Sequence, residues 1–290
     1  MTEHPDPSME AVVDPAEARR RKAIRRLRPY VPPLLITGIL LAAHISFGIL
    51  DGWDKLATAI AAAFIAEILL SRLLLGEWRN LSSAYISGIS AGILVRSPFL
   101  WPFAFTAAIA IVSKYAIRFR GRHIFNPTNF GIVMLLLVAS DSAAVLSIQW
   151  GNNMWAMLVI WIVGLFSIHK LKLFHVCASY VGAFLAFGLV RSWITGDPYL
   201  AEIAPLTGPM YQLFVLFMIT DPKTTLSTTR GRVTVALLIG FVEFIFRLNE
   251  AIYAPFYALF IVGPIALIVE RLWKDRATPP AEPALPATRT

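Results

Sequence analysis

Several runs of about 16–22 mostly apolar residues follow one another along this chain, separated only by short loops. That succession constrains the fold more than any motif does. Backbone amides and carbonyls inside a bilayer must be satisfied within their own segment, so such a chain packs as spanning helices. A transmembrane β-barrel would instead alternate apolar and polar residues over strands of about ten residues, and that alternation is absent. Composition agrees. The 290 residues are 57% hydrophobic and 15% charged, with mean hydropathy +0.65, where soluble domains carry about 25% charged residues. A single cysteine, Cys177, lies in an apolar run. It excludes a disulfide framework and leaves no thiolate cluster for an iron–sulfur centre or other metal site.

Ten helices are predicted, at about residues 31–50, 55–75, 82–96, 98–117, 125–140, 154–169, 174–192, 206–220, 232–247 and 252–271. The net charge of +8 does not point to nucleic acid, because its placement is that of a membrane protein. Arg19, Arg20, Arg21, Lys22, Arg25, Arg26 and Arg28 precede the first apolar run, as a juxtamembrane cluster facing anionic lipid does. With the N-terminus inside, only Lys55, Arg96, Arg191 and Arg247 fall outside. The other 22 of the 26 Lys and Arg, 26 less those four, lie on the inner side. Ten spans with both termini cytoplasmic satisfy that asymmetry, and one helix more or fewer scrambles it. The apolar run begins near residue 31 with no small-residue cleavage site after it, so it reads as a span rather than a cleavable signal. Trp53, Trp101, Trp150, Trp193, Trp78 and Trp273 fall near predicted ends, where interfacial anchoring accounts for them. The expected domains are a cytoplasmic tail over 1–29, one membrane domain over 30–275 and a second disordered tail over 276–290.

Ten helices divide into five and five, over about 31–140 and 154–271. The third and eighth are alike: both are short, both carry a Ser/Thr-Gly pair (Ser87-Gly88, Thr207-Gly208), and both end in Ser-Pro or Asp-Pro. An odd number of helices per half gives the halves opposite orientation. Short Gly/Pro-interrupted helices at matching places then mark an inverted repeat with a site between them. Simple tolerance of Gly and Pro by membrane helices is the plainer account.

Two motifs carry possible chemistry. In His123-Ile-Phe-Asn-Pro-Thr-Asn-Phe-Gly131, Asn126 is placed to cap the fifth helix and Pro127 to open it. Thr128 and Asn129 add polar groups in the same turn, a setting suited to an anionic or carbonyl-bearing ligand. In Thr220-Asp-Pro-Lys-Thr-Thr225, Asp221 must end its helix before Pro222. Its carboxylate can cap local N–H groups or meet a cation or ring N–H. Lys223, Arg230 and Arg232 read first as positive-inside residues. Among ionisable groups within spans, a mid-bilayer carboxylate costs about 2.5–3.5 kcal/mol, so Glu67 and Glu243 need a partner, water or a proton. Glu243 lies one turn from Arg247, a local ion pair. Both carboxylates are candidates for an ion or proton pathway, Glu67, with only Arg72 nearby, ahead of Glu243. His44 and His175 read as packing residues.

Phe125-Asn-Pro-Thr-Asn-Phe-Gly131 and Phe217-Met-Ile-Thr-Asp-Pro-Lys-Thr-Thr225, followed by Ser227-Thr-Thr-Arg-Gly-Arg232, resemble a family of flavin-bearing membrane subunits. It contains the B subunit of the sodium-pumping NADH:quinone reductase, the D subunit of the Rnf electron-transport complex, and stand-alone relatives linked to enediyne biosynthesis. The resemblance spans about residues 30–275. It implies a urea-transporter-like fold of two inverted five-helix repeats in a bacterial cytoplasmic membrane, with flavin-mediated electron transfer coupled to H⁺ or Na⁺ movement. Redox members carry FMN on the Thr of a Ser-Gly-Ala-Thr motif at the start of the eighth helix. The matching residues are Thr207-Gly208-Pro209-Met210, and methionine has no hydroxyl to esterify. The expectation is therefore non-covalent flavin, FMN or riboflavin, with no covalent FMN. The implied site is Asn126, Pro127, Thr128, Asn129, Thr207, Gly208, Asp221, Lys223, Thr224 and Thr225. With no other redox centre, such a role needs redox partner subunits, a flavin or a quinone. Two alternatives stand beside it: a small-solute transporter or channel on the same fold, and a membrane component of a natural-product pathway. No catalytic constellation is read.

Overall fold

A computed structural model describes residues 30–48, 50–145 and 154–277. The basic cluster Arg19 to Arg28, the predicted N-terminal tail and Trp150 lie outside the described residues, as does the predicted C-terminal tail from 278 on, its first two residues ending the last helix. The described chain is mostly helical. In order it forms α1 (Val31–Phe47), α2 (Trp53–Leu75), α3 (Ser82–Leu94), strand β1 (Val95–Arg96) and α4 (Trp101–Ala116). A hairpin of β2 (Arg118–Phe119) and β3 (Arg122–His123) leads to α5 (Pro127–Ala139) and β4 (Ala144–Val145). Then come α6 (Met154–Leu171), α7 (Phe174–Thr195), α8 (Tyr199–Thr207), α9 (Pro209–Met218), α10 (Thr229–Leu248) and α11 (Ala254–Ala277).

Length separates these helices. At 1.5 Å per residue, about 20 residues cross the roughly 30 Å hydrocarbon core. Three helices are long and apolar enough to do so: α2, α7 and, over Ala254–Asp275, α11. The α8–α9 pair, bent by 60° at Gly208, makes a fourth when taken as one span. This establishes an α-helical protein with three to four candidate spans. Large side chains left bare on the helices, such as Leu73 at 79% and Trp193 at 87% exposed, are what lipid-facing surfaces require.

The 13-residue helices α3 and α5 reach only about 20 Å. Each is prolonged by an extended arm, and these arms pair antiparallel, Val95 with Val145 and Arg96 with Ala144. Val95, Arg96 and Val145 are buried, so this non-helical backbone is enclosed by protein.

Packing follows a regular scheme. α2 lies against α3 and α4, α4 against α5, α7 against α8 and α10, and α10 against α11. One apolar cluster joins α2, α3, α4 and α5 through Ala63, Ala84, Phe103, Ile111 and Leu135. A second joins α7, α9, α10 and α11 through Tyr180, Phe214, Ile239 and Phe256, and reaches back to Ile132 and Leu136 of α5. Close approach depends on absent side chains at two positions. A Cβ on Gly88 would stand 2.8 Å from the Ile60 Cα, and one on Gly131 would stand 2.4 Å from the Thr106 carbonyl oxygen. Small residues let membrane helices touch backbone to backbone, and Gly88-x-x-x-Gly92 seats α3 on α2 in this way.

Several predicted features move. The eighth segment, expected as a helix over 206–220, is α9 over Pro209–Met218, opening at Thr207-Gly208-Pro209. An unpredicted helix, α8, precedes it over Tyr199–Thr207, turns aside and ends in a 3-10 turn. The second half of α9, Phe214–Met218, is wound as a π-helix. Arg230 and Arg232, expected in a loop, lie in the first turn of α10, whose N–H of Gly231 is capped by the Thr228 hydroxyl.

Candidate functional site

A cavity of about 540 Å³ lies between the two segments that the sequence paired. One wall is α3, contributing Ser83, Ser87 and Ser90, spaced to share one helical face. The facing wall is the π-wound end of α9, with Leu216, Phe217 and Met218. Ile36 and Leu40 of α1 and Val159, Ile160 and Val163 of α6 complete an apolar shaft. The hydroxyls of Ser87 and Ser90 donate back to the carbonyls of Ser83 and Ile86, which leaves their lone pairs toward whatever enters.

The polar groups gather at one end: Lys114, His123, Asn126, Thr128, Asp221 and Lys223. Local sequence explains each placement. Asn126 caps α5, accepting from the Asn129 N–H at 3.0 Å, and Pro127 opens the helix. The Asn126 side-chain amide donates to the Met218 carbonyl and the Asp221 carboxylate, both at 3.4 Å. The two motifs are thus stitched together across 95 residues of chain. Asp221 Oδ1 accepts the Lys223 N–H at 3.0 Å, the local capping expected of it. Arg122 of the β2–β3 hairpin donates to the Lys223 carbonyl at 2.7 Å. That hairpin turns through Arg120 and Gly121, both at positive φ, as a two-residue turn of matching twist demands. Burial pushes the His123 imidazole below its ordinary value. Asp221 pulls it back up, while Lys223, Lys114 and Arg122 add to the fall. Its Nε2 is buried and makes no hydrogen bond.

Not every predicted site residue is here. Asn129 points away from the cavity and donates to the Phe256 carbonyl of α11 at 3.1 Å. Phe125 and Phe130 stack with Phe260 of α11, with ring centres 4.9–5.5 Å apart. Thr224 and Thr225 bond through their N–H groups to the Asp221 carbonyl and do not line the cavity. Thr207 and Gly208 stand at the opposite end of α9 from Asp221, about 15 Å along the helix. The Thr207 hydroxyl donates to the Ala204 carbonyl and is exposed, and Met210 is buried.

Glu67 and Glu243, the two carboxylates singled out in the sequence, have partners other than those expected. Glu67 does not meet Arg72, whose guanidinium lies over Trp78. It accepts the Tyr115 hydroxyl at 2.6 Å and has Lys114 Nζ 3.6 Å from Oε2. Glu243 does not pair with Arg247. It takes both hydrogen bonds from tyrosines, Tyr180 at one oxygen and Tyr211, at 2.7 Å, at the other. Arg247 instead joins Arg191 on the buried carboxylate of Glu202, clamping α8 against α7 and α10. His44 keeps its packing role, edge-on to Trp53 and accepting the Leu50 N–H.

The serine face of α3 and Lys114 went unremarked as site residues in the sequence. The Ser83, Ser87, Ser90 spacing was there to be read; Lys114 looked like one inner-side cation among many. Among the described residues no cluster of His, Cys, Asp or Glu could hold a metal ion. Compared with known protein families and with curated proteins, the chain matches none.

Proposed function

We propose that this chain is a membrane-embedded electron-transport subunit, similar to the Rnf D type, that holds a flavin or quinone head group non-covalently in the cavity between α3 and α9. The observation that carries this reading is the joining of the Phe-Asn-Pro-Thr-Asn and Thr-Asp-Pro-Lys corners into the polar end of one apolar-walled cavity. Its volume, about 540 Å³, suits a cofactor-sized ligand. The residues fit such a group. The unpartnered Nε2 of His123, the Lys114 ammonium and the Asn126–Thr128 turn offer donors to ring carbonyls or to phosphate. Ser83, Ser87 and Ser90 offer oxygens along the shaft. When bound, the group would supply the electron-carrying chemistry that the side chains lack. The chain would orient it, exclude water and set its electrostatics, while redox partner subunits supply donor and acceptor.

The same reading places ten spans in the bilayer of a bacterial cytoplasmic membrane, as two inverted repeats with both termini cytoplasmic. Three observations support it. The pairing of α2 with α4 is answered by that of α7 with α10, and the contact of α4 with α5 by that of α10 with α11. Both short helices line one site. Arg191 and Arg247 meet at one end of the bundle, whereas Lys114, Arg122 and Lys223 meet at the other. A second reading, passage of a small polar solute, is favoured by the hydroxyl face of α3 along an otherwise apolar shaft.

The test is purification into lipid nanodiscs followed by a visible spectrum and titration with FMN, riboflavin and a short-chain quinone. Saturable binding of a flavin or quinone supports the electron-transport reading. A colourless protein that binds none of them, yet passes small solutes across liposomes, replaces it with the second.

A further inference from the structure

Of the buried carboxylates, Glu202 is held by Arg191 and Arg247, while Glu243 and Glu67 meet tyrosine hydroxyls, and only Glu67 is linked to the cavity, through Lys114. Glu243 is 1% exposed, and each of its oxygens is held by a tyrosine hydroxyl within an aromatic cluster of Tyr180, Phe184, Tyr211 and Phe214. It is sealed and fully engaged. Glu67, 4% exposed, is half-engaged: Oε1 takes the Tyr115 hydroxyl, whereas Oε2 is buried and accepts no hydrogen bond. The group nearest Oε2 is Lys114 Nζ, at 3.6 Å, beyond hydrogen-bond length but close enough to hold the charge. Lys114 also lines the cavity and donates to Ser83 Oγ on its wall at 3.1 Å. One ammonium therefore stands between a ligand space and an otherwise unneutralised buried carboxylate.

We propose that Lys114 and Glu67 form a ligand-responsive proton site, in which an anionic or carbonyl-bearing head group draws the Lys114 ammonium into the cavity and Glu67 takes up a proton in its place. The physical ground is the cost of a bare carboxylate away from water. A group stripped of its counter-charge there neutralises rather than remaining charged. Lys114 has the flexible stem needed to reach either partner, and Ser83 marks the path between them. The other groups bearing on this site are Tyr115, which stays on Oε1, the Arg79 guanidinium over the Tyr115 ring at 5.9 Å, and Lys223 and His123 across the cavity. The charge balance is simple: the ammonium leaves Glu67 to meet the ligand, and one proton from the aqueous side replaces it. Occupancy of the cavity thereby becomes proton loading inside the bundle, which is the coupling an ion-translocating subunit needs. This inference rests on the cavity being the ligand site.

Infrared difference spectroscopy on the full chain in nanodiscs tests it without any ligand. Lys114→Met stands in for withdrawal of the ammonium. At neutral pH it is expected to show the deuterium-sensitive stretch of a protonated carboxyl that wild type and Lys114→Arg lack, and Lys114→Met/Glu67→Gln is expected to lose it. Should Lys114→Met fold poorly, Lys114→Gln is measured in its place. An unchanged carboxyl spectrum in the single variant, or a band that survives in the double variant, overturns the proposal. In the second arm FMN is titrated into wild type by calorimetry in phosphate and in Tris buffer. Uptake of about one proton per FMN bound, lost in Glu67→Gln, is expected; uptake that is equal in the two proteins overturns the proposal. If wild type binds no FMN, it is the flavin assignment that falls, and the infrared result alone decides the proton site.

Discussion

Adding one methyl group at Gly131 is expected to wedge α5 away from α4. A Cβ there would stand 2.4 Å from the Thr106 carbonyl oxygen and 3.2 Å from both its carbonyl carbon and its Cγ2. Cβ contacts essentially never fall below 3.0 Å, so the helices must part by at least 0.6 Å, 3.0 less 2.4. The obstacle is backbone, which cannot rotate aside, and overpacking of this kind costs about 1–3 kcal/mol. At about 2–4 °C per kcal/mol, Gly131→Ala should melt about 2–12 °C below wild type. The chain contains its own reporter. Cys177 is the sole cysteine, is buried, and donates to the Val215 carbonyl, so a thiol-reactive dye labels it as the bundle opens. Gly182→Ala on α7 is the control, because nothing lies within 4 Å of its Cβ position. It should melt at or above wild type, since alanine favours a helix over glycine by about 0.5–1 kcal/mol. A Gly131→Ala protein that melts with Gly182→Ala would refute the close α4–α5 contact on which Asn126 and Thr128 are mounted.

Tyr180→Phe and Tyr211→Phe each leave one oxygen of Glu243 buried without its donor. Each should cost about 1–3 kcal/mol in the same dye melt, and the double variant should depart from additivity because both act on one carboxylate. Fully additive losses would place the tyrosines outside a shared network. The lowered titration of His123 fixes a sign as well. The unfolded imidazole takes its proton first, near 6.5, so this contribution to stability is present above that pH and is lost as pH falls toward the folded value. His123→Gln should therefore lose less of its melting temperature between pH 7 and pH 5 than wild type does, and equal losses would remove His123 from the account.

Much of this architecture was written in local pattern. Apolar runs mark the helices because lipid leaves no other way to satisfy their backbones. Gly208-Pro209 marked the opening of α9, and Asn126-Pro127 announced the cap of α5. What escaped was pairing at a distance. Glu67 finds Tyr115 48 residues away, and nothing near it in the chain points there. Arg72, five residues on, leaves its face for Trp78. Glu243 and Arg247 do share a face at i, i+4, yet Glu202 draws Arg247 away and two tyrosines take its place. The Phe-Asn-Pro-Thr-Asn motif divided for a similar reason. Asn126 precedes the helix as its extended N-cap and reaches the cavity from there, while one 100° step separates Thr128 on the cavity side from Asn129, which turns to α11. No residue type over Phe214–Met218 foretells the π-winding of α9.

The central claim is that the space between α3 and α9 is where the ligand sits. Affinity for FMN and for a short-chain quinone, compared between wild type and Ser90→Phe in nanodiscs, tests it most directly. Ser90 lines the shaft, and its hydroxyl bonds only within its own helix, to the Ile86 carbonyl. A phenyl ring there fills ligand space while leaving the helix intact. The account predicts affinity reduced at least tenfold, about 1.4 kcal/mol, with an unchanged melting temperature. Wild-type affinity in Ser90→Phe would contradict it.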